Sequence, residues 1–152
     1  TIPPLVYIDM MLQSGISFDA FGIQMKFGKD LAGMHVRDLM QVSASLDRFA
    51  MLGKHLVITE VEVPSELDMG KGTENFSGLW HGPWNQRLQS QWIEHFYMIA
   101  FSKFFVDSVT YSHLVDVGNS VIAKSGLLAE DMQPKEAYQA ILKLRKIIFN
   151  KQ

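Results

Sequence analysis

The chain has 152 residues, 47% hydrophobic and 20% charged, which is the size and composition of one globular domain. A net charge of −2, with lysines and arginines scattered, gives no basic surface for nucleic acid, and we expect no such partner. Without cysteine there is no disulfide, and no apolar run approaches the roughly 20 residues of a membrane-spanning helix, so no membrane is predicted. No signal peptide is visible, and the compartment stays open.

Helices and strands alternate along the chain. Apolar residues at helical spacing predict four helices, over residues 4–13, 35–52, about 88–102 and after Pro134. Apolar and β-branched runs predict three strands, over residues 18–25, 56–63 and 108–115. This α-β-α-β-α-β-α order predicts an α/β fold with parallel strands and helices packed outside them. Three parallel strands would leave both sheet edges open, so self-association or a second chain is expected to cover them.

The strand over residues 56–63 carries two acidic residues near its carboxyl end. A strict two-residue repeat places Glu60 and Glu62 on one face with Ile58, opposite Val61. Because strands of parallel sheets are usually apolar on both faces, ionisable groups here require a reason. A catalytic carboxylate is one reason, and a solvated strand end with a surface salt bridge is the alternative.

A long segment rich in glycine and proline, residues 64–85, follows this strand and contains Phe76, Trp80 and Trp84. Segments of this length without secondary structure are usually binding loops or lids. The sequence therefore predicts a binding loop at the carboxyl end of the second strand.

Four segments carry motifs that occur together in one enzyme family. They are D-A-F-G-I-Q-M-K at 19–26, I-T-E-V-E-V at 58–63, V-T-Y-S-H-L-V-D at 109–116, and G-L-L-A-E-D at 126–131 followed by P-K-E-A-Y at 134–138. In this order they resemble the sixth strand (D-G-I-G-x-Q-x-H), seventh strand (I-T-E-L-D-V), eighth strand (I-T-x-W-G-L-x-D) and closing segment (G-L-L-x-x-D-x-x-P-K-P-A-Y) of glycoside hydrolase family 10, the endo-1,4-β-xylanases.

The resemblance covers nearly the whole chain and implies its architecture. Residues 1–152 are expected to form a single C-terminal portion of a (β/α)8 catalytic barrel, with about three parallel strands and flanking helices. In the full-length family context it also implies a secreted or periplasmic protein.

The resemblance assigns the nucleophile of a retaining glycoside hydrolase to Glu60. Glu62 stands where the family has aspartate, and we expect it to orient a neighbour by hydrogen bonding, because it would approach the sugar from the same side as Glu60. Gln24 is placed beside the nucleophile, where it binds substrate or a neighbouring side chain; a loop-anchoring amide is the alternative.

Other candidate residues stand where the sequence departs from the family motifs. Lys26 replaces a histidine and either balances the charge of the nucleophile or is a solvated lysine. His113 replaces a glycine and either faces the active site or is structural. Ser112 replaces a tryptophan.

The loop offers further candidates for substrate binding. Trp80 and Trp84 resemble a sugar-stacking pair, because aromatic rings match the apolar faces of pyranose rings, but they could equally anchor the loop to the barrel rim. His81, between them, is a further candidate substrate contact. Trp92 lies on the apolar face of its helix and is expected in the core. No histidine pair accompanies a carboxylate cluster, so neither a metal nor another cofactor is predicted.

The family's acid/base strand has no counterpart in the chain. Retaining hydrolysis needs a second carboxyl group roughly 5 to 5.5 Å from the nucleophile. We therefore expect a xylanase-like chain, with β-1,4-linked plant polysaccharide as its substrate, that is inactive or nearly so by itself. The alternative is a non-catalytic carbohydrate-binding or assembly module with a degenerate barrel site.

Overall fold

The structure is a computed structural model that describes residues 2–67, 78–118 and 120–149. Its elements in chain order are α1 (Pro4–Gln13), β1 (Ala20–Lys26), α2 (Leu39–Ala50), β2 (His55–Glu62), α3 (Gln86–Phe101), β3 (Val106–Tyr111) and α4 (Glu136–Phe149). Within the described ranges, no helix has the length and apolar character needed to cross a membrane. The middle of the predicted binding loop, including Phe76, lies outside the described residues.

The three strands form one sheet in the order β1-β2-β3, and both neighbouring pairs are parallel. This confirms the predicted α/β fold with parallel strands. Among the described residues only β2 has a neighbouring strand on each side, so β1 and β3 are the edges of the sheet in this part of the chain.

The helices cover one face of the sheet and build the core with it. In α2 the buried side chains are Leu39, Val42, Leu46 and Phe49, spaced by three and four residues as the sequence predicted. In α3 the fully buried Trp92 stacks on Phe96 with ring centroids 4.9 Å apart, and the core assignment of Trp92 is confirmed. The strands contribute the buried side chains of Ile23, Met25, Leu56, Ile58 and Val61.

Capping side chains define where two helices begin. The Asp38 carboxylate accepts a hydrogen bond from Met40 N at 2.7 Å, so α2 begins at Leu39 and residues 35–38 are not helical, in contrast to the prediction. The Asn85 side chain accepts from Leu88 N at 3.0 Å and begins α3. The apolar spacing predicted a longer α2, but the Asp38 cap sets its first residue at Leu39.

The third strand ends earlier than predicted. β3 ends at Tyr111, so Ser112 and His113 lie beyond the strand. The neighbouring strand β2 ends at Glu62. Leu114 O instead accepts a hydrogen bond from Leu128 N at 2.8 Å. Ser112 N still donates to Val61 O of β2 at 3.0 Å, and from Leu114 onward the backbone finds its partner in Leu128 of the closing segment.

The predicted division of β2 into two faces is wrong. Ile58 pairs with Ile23 of β1, but the next pair is Glu60 with Gln24, so Thr59 is the extra residue of a β-bulge. The Thr59 hydroxyl donates to Ile23 O at 3.0 Å and occupies that carbonyl. Since one inserted residue reverses the alternation, Ile58 is in the core while Glu60 is on the opposite face.

Candidate active site

Glu60 lies near the carboxyl end of β2, and both of its carboxylate oxygens have partners. Gln24 of β1 donates from Nε2 to Oε1 at 2.9 Å. The Lys26 ammonium, also on β1, forms an ion pair with Oε2. The Glu60 side chain is 35% exposed, so it is reachable from solvent while its orientation is held from two sides.

Lys26 lies between the two acidic side chains of β2. Besides its contact with Glu60, its Nζ is 3.6 Å from Glu62 Oε2. Hydrogen bonding to Glu60, supported by the nearby charge of Glu62, raises the pKa of Lys26 above its ordinary value. With a side chain only 16% exposed, it is not the solvated lysine of the alternative interpretation.

Glu62 is completely buried, which excludes a solvated strand end for this residue. Its Oε1 accepts a hydrogen bond from Ser125 Oγ at 2.6 Å and lies 2.9 Å from His113 Nδ1. Within the part of the chain that the structure describes, its Oε2 has no hydrogen-bond partner, and the Lys26 ammonium lies nearby. The carboxylate is thus held by donors on one oxygen and by a charge on the other.

A buried glutamine holds the backbone that presents Ser125. Gln89 of α3 donates from Nε2 to Val63 O and to Ser125 O, both at 3.1 Å. The Tyr111 hydroxyl also donates to Ser125 O, at 2.6 Å, and burial raises the pKa of Tyr111. Helix α3, the end of β2 and the end of β3 therefore converge on the Ser125 backbone.

A second buried cluster lies beside the first. Lys135 Nζ contacts an Asp116 oxygen at 2.7 Å, Ser65 Oγ at 3.0 Å and Lys124 O at 2.9 Å. Asp116 Oδ1 also accepts from Gly126 N at 2.8 Å. Burial lowers the pKa of Lys135 in spite of the Asp116 carboxylate. This cluster fixes both sides of the segment that contains Ser125.

The two loop tryptophans are largely enclosed by protein. Trp80 and Trp84 are 6% and 4% exposed and belong to the core cluster, with ring centroids 6.5 Å apart. This burial favours the interpretation that they anchor the loop. His81 is exposed, has a φ of 60° and lies against the Trp80 ring at 4.3 Å between centroids.

The structure thus brings five of the predicted site residues together, namely Gln24, Lys26, Glu60, Glu62 and His113. Trp80, Trp84 and His81 form a separate group. Among the described residues there is no group of three or more histidines and acidic residues that could hold a metal ion.

Sequence reasoning missed three groups that support the cluster. Ser125 and Gln89 have no local signal, because each acts on residues more than 20 positions away. Lys135 and Asp116 lie within the segments that resemble the family motifs, but nothing in the polar sequence around Lys135 indicates that the two side chains form a buried pair.

Comparison with known proteins identifies the fold. The xylanase 10B structure from Thermotoga maritima has a TM-score of 0.69 and 19% identity, over 97% of this chain and 43% of that chain. A GH10 structure from Paenibacillus barcinonensis gives 0.64 and 20%, over 97% and 42%. Xylanase 10B of Thermotoga petrophila, in complex with xylobiose, gives 0.62 and 20%, over 93% and 40%.

These likenesses confirm the predicted resemblance at the level of the fold: the chain has the fold of part of a GH10 xylanase barrel. It spans about two-fifths of the length of the structures that it matches. No protein-family model and no curated protein matches the chain.

Proposed function

We propose that this chain carries the nucleophile half of a retaining glycoside hydrolase site for β-1,4-linked xylan. On this proposal residues 1–152 are a single C-terminal portion of the catalytic barrel. The xylobiose named for the Thermotoga petrophila xylanase supports the choice of sugar.

The position and partners of Glu60 carry the proposal. It lies where active sites of barrel enzymes lie, at the carboxyl end of a parallel strand. Gln24 and Lys26 hold its carboxylate in one orientation while the side chain stays partly exposed. An oriented and reachable carboxylate is what attack on an anomeric carbon requires.

Glu62 does not supply the missing proton donor. Its side chain is fully buried, and its oxygens face Ser125, His113 and Lys26. A general acid must instead reach the oxygen of the leaving group. We therefore infer that Glu62 is not the acid/base residue; a site without that residue loses roughly 10²- to 10⁴-fold in rate.

An activated sugar tests the nucleophile separately from the missing acid. In 2,4-dinitrophenyl 2-deoxy-2-fluoro-β-xylobioside the leaving phenolate departs with the electron pair of the broken C1–O bond and needs no proton. A Glu60 oxygen would form the new bond to C1, and the fluorine would slow hydrolysis of the resulting ester. We expect mass spectrometry to find one xylobiosyl group on the peptide containing Glu60.

A matched pair of variants gives this experiment its control. Glu60→Gln is expected to abolish the labelling. Glu94→Gln, on α3 and paired with Lys143 away from the site, is expected to label like the unmodified chain. Labelling of another residue, or labelling that survives Glu60→Gln, would contradict the assignment of the nucleophile.

A non-catalytic carbohydrate-binding module is the second candidate. It is favoured by the ion pair between Lys26 and Glu60, which neutralises the charge of the carboxylate, and by Ser112 at a position where the family motif has tryptophan. Calorimetric binding of xylotetraose that is unchanged by Glu60→Gln, together with no covalent labelling, would support this function over the first.

Completion of the barrel is part of the proposal. A cavity of about 480 Å³ lies along β1, the open edge strand, lined by apolar residues of α1, β1 and α2 that include Leu5, Met25 and Phe49. A second chain or another copy of this one would cover this edge. Sedimentation of the purified chain as a compact monomer would argue against self-association.

A further inference from the structure

His113 and Glu62 form an imidazole–carboxylate pair at the carboxyl edge of the sheet. His113 follows the end of β3, and its Nδ1 lies 2.9 Å from Glu62 Oε1. The carboxylate is fully buried, whereas the His113 side chain is 37% exposed. The imidazole therefore lies between a buried acceptor and the solvent-facing side of the site.

The surroundings of Glu62 determine which ring nitrogen carries the proton. The oxygen facing His113 accepts a hydrogen bond from Ser125, and the other oxygen faces the Lys26 ammonium. Since a carboxylate only accepts, Nδ1 of a neutral His113 must be the protonated nitrogen. Nε2 then keeps its lone pair. In many proteins the hydrogen bond made by one ring nitrogen fixes the tautomer of the imidazole in this way.

We infer that His113 is a substrate-contacting residue whose Nε2 accepts a hydrogen bond from a sugar hydroxyl. This inference rests on the proposed function, because it takes the ligand to be a xylo-oligosaccharide bound beside Glu60. Across residues 2–67, 78–118 and 120–149, no protein group forms a hydrogen bond with His113 Nε2. The acceptor is thus unoccupied by protein.

The contact uses a residue that departs from the family motif. The family motif that residues 109–116 resemble has glycine at the position of His113 and tryptophan at the position of Ser112. Glycine offers a sugar no side chain, whereas an imidazole held by Glu62 offers a directed acceptor on the β3 side of the site. His113 would therefore select for a hydroxyl group at one place on the ligand.

The tautomer is measurable without any ligand. We expect ¹⁵N NMR of histidine-labelled protein at pH 8.5 to show His113 protonated at Nδ1 and unprotonated at Nε2. In Glu62→Gln the amide can donate to Nδ1, so the proton is expected to move to Nε2. A protonated Nε2 in the unmodified chain, in either a neutral or a charged ring, would overturn the inference.

Affinity for xylotetraose tests the contact itself. His113→Phe keeps a ring but removes the acceptor, and calorimetry should show affinity about three- to tenfold weaker. His113→Gln, which retains an acceptor oxygen, should recover part of that loss. Equal affinities for His113→Phe and the unmodified chain would overturn the inference.

His55 provides a matched control. Its Nδ1 lies 2.7 Å from Asp107 Oδ1, but at the opposite end of the strands and with a half-exposed carboxylate. His55→Phe is expected to leave xylotetraose affinity unchanged. If the unmodified chain binds no xylotetraose, both the proposed function and this inference are wrong. If it binds xylotetraose and His113→Phe does not change the affinity, only the inference is wrong.

Discussion

Two lysines lie beside buried carboxylates in this protein, and their surroundings differ in how completely the polar atoms are partnered. Lys135 contacts four oxygens, including both of the Asp116 carboxylate, and the side chains of Lys135 and Asp116 are 2% and 4% exposed. Lys26 is 16% exposed, and the Glu62 oxygen nearest to it has no hydrogen bond.

The difference lies in hydrogen bonding and not in access, because the Lys135 cluster itself lines a cavity of about 440 Å³. Around Lys135 each polar group has its partner inside the protein, so the cluster holds the closing segment in place. Around Lys26 the ion pair is reachable, and one buried oxygen depends on a charge 3.6 Å away. A buried polar atom without a hydrogen bond requires an explanation, and a role in a functional site is one.

The largest expected effect on stability comes from removing the lysine of the buried Lys135 cluster. Lys135→Met leaves the Asp116 carboxylate buried without its counter-charge, and we expect the free energy of unfolding to fall by about 3–5 kcal/mol. Urea denaturation followed by circular dichroism measures this change.

The exposed pair of Lys143 and Glu94 supplies the control for that variant. Lys143→Met removes a lysine whose side chain is 63% exposed, and the expected loss is below about 1 kcal/mol. Equal losses in the two variants would show that the Lys135 cluster does not hold the closing segment.

Substitutions at two glycines are expected to change stability less, and they compare the packing of the same two regions. A Cβ on Gly126 would lie 2.4 Å from Asp116 N and 2.5 Å from Val115 C, and backbone cannot move aside easily. A Cβ on Gly22 would meet the Thr59 Cγ2 methyl at 2.8 Å. We expect Gly126→Ala to cost about 1–3 kcal/mol and Gly22→Ala less, because the Thr59 side chain can shift, at the cost of its hydrogen bond to Ile23 O, whereas the backbone at Asp116 cannot.

Thermal unfolding of both glycine variants, compared with the unmodified chain, measures this difference. A larger loss for Gly22→Ala than for Gly126→Ala would mean that the open face of the sheet, not the closing segment, is the more tightly packed region.

The pH dependence should have opposite signs at the two lysines. The folded state raises the pKa of Lys26 above 10.5, so its contribution to stability is complete below pH 10.5 and is lost as the pH rises through the folded value. The folded state lowers the pKa of Lys135, so the unfolded chain binds more protons just below pH 10.5, and stability rises with pH there.

Urea titrations between pH 8 and pH 11 can separate these two contributions. The stability difference between the unmodified chain and Lys26→Met should shrink at the top of this range. The difference between the unmodified chain and Lys135→Met should instead grow as the pH approaches 10.5. Parallel slopes for the two variants would contradict the assignment of opposite shifts.

Much of the fold could be predicted because the signals are local. Helical spacing placed the apolar face of α2, and β-branched runs placed β1 and β2 within about two residues of their observed bounds. The predicted end of β3 was wrong because it depends on the closing segment, whose Leu128 hydrogen-bonds to the backbone of Leu114 and Asp116.

The candidate site was predictable in composition and not in geometry. Glu60, Gln24 and Lys26 could be named from motifs, but the alternation rule put Glu60 on the face of Ile58. The Thr59 bulge reverses that rule, and it is visible only when β1 and β2 are paired. The sequence shows that Trp80 and Trp84 are an aromatic pair in a loop, but it does not show whether their rings are buried by protein or exposed to solvent.

The sequence by itself determined the alternation of helices and strands and the presence of two carboxylates at the end of β2. The tertiary structure decided that Glu62 is buried beneath Ser125 and His113 while Glu60 stays reachable beside Gln24 and Lys26. The physical reason is that burial and hydrogen bonding are set by partners 34 to 63 residues away, and no local pattern specifies such partners.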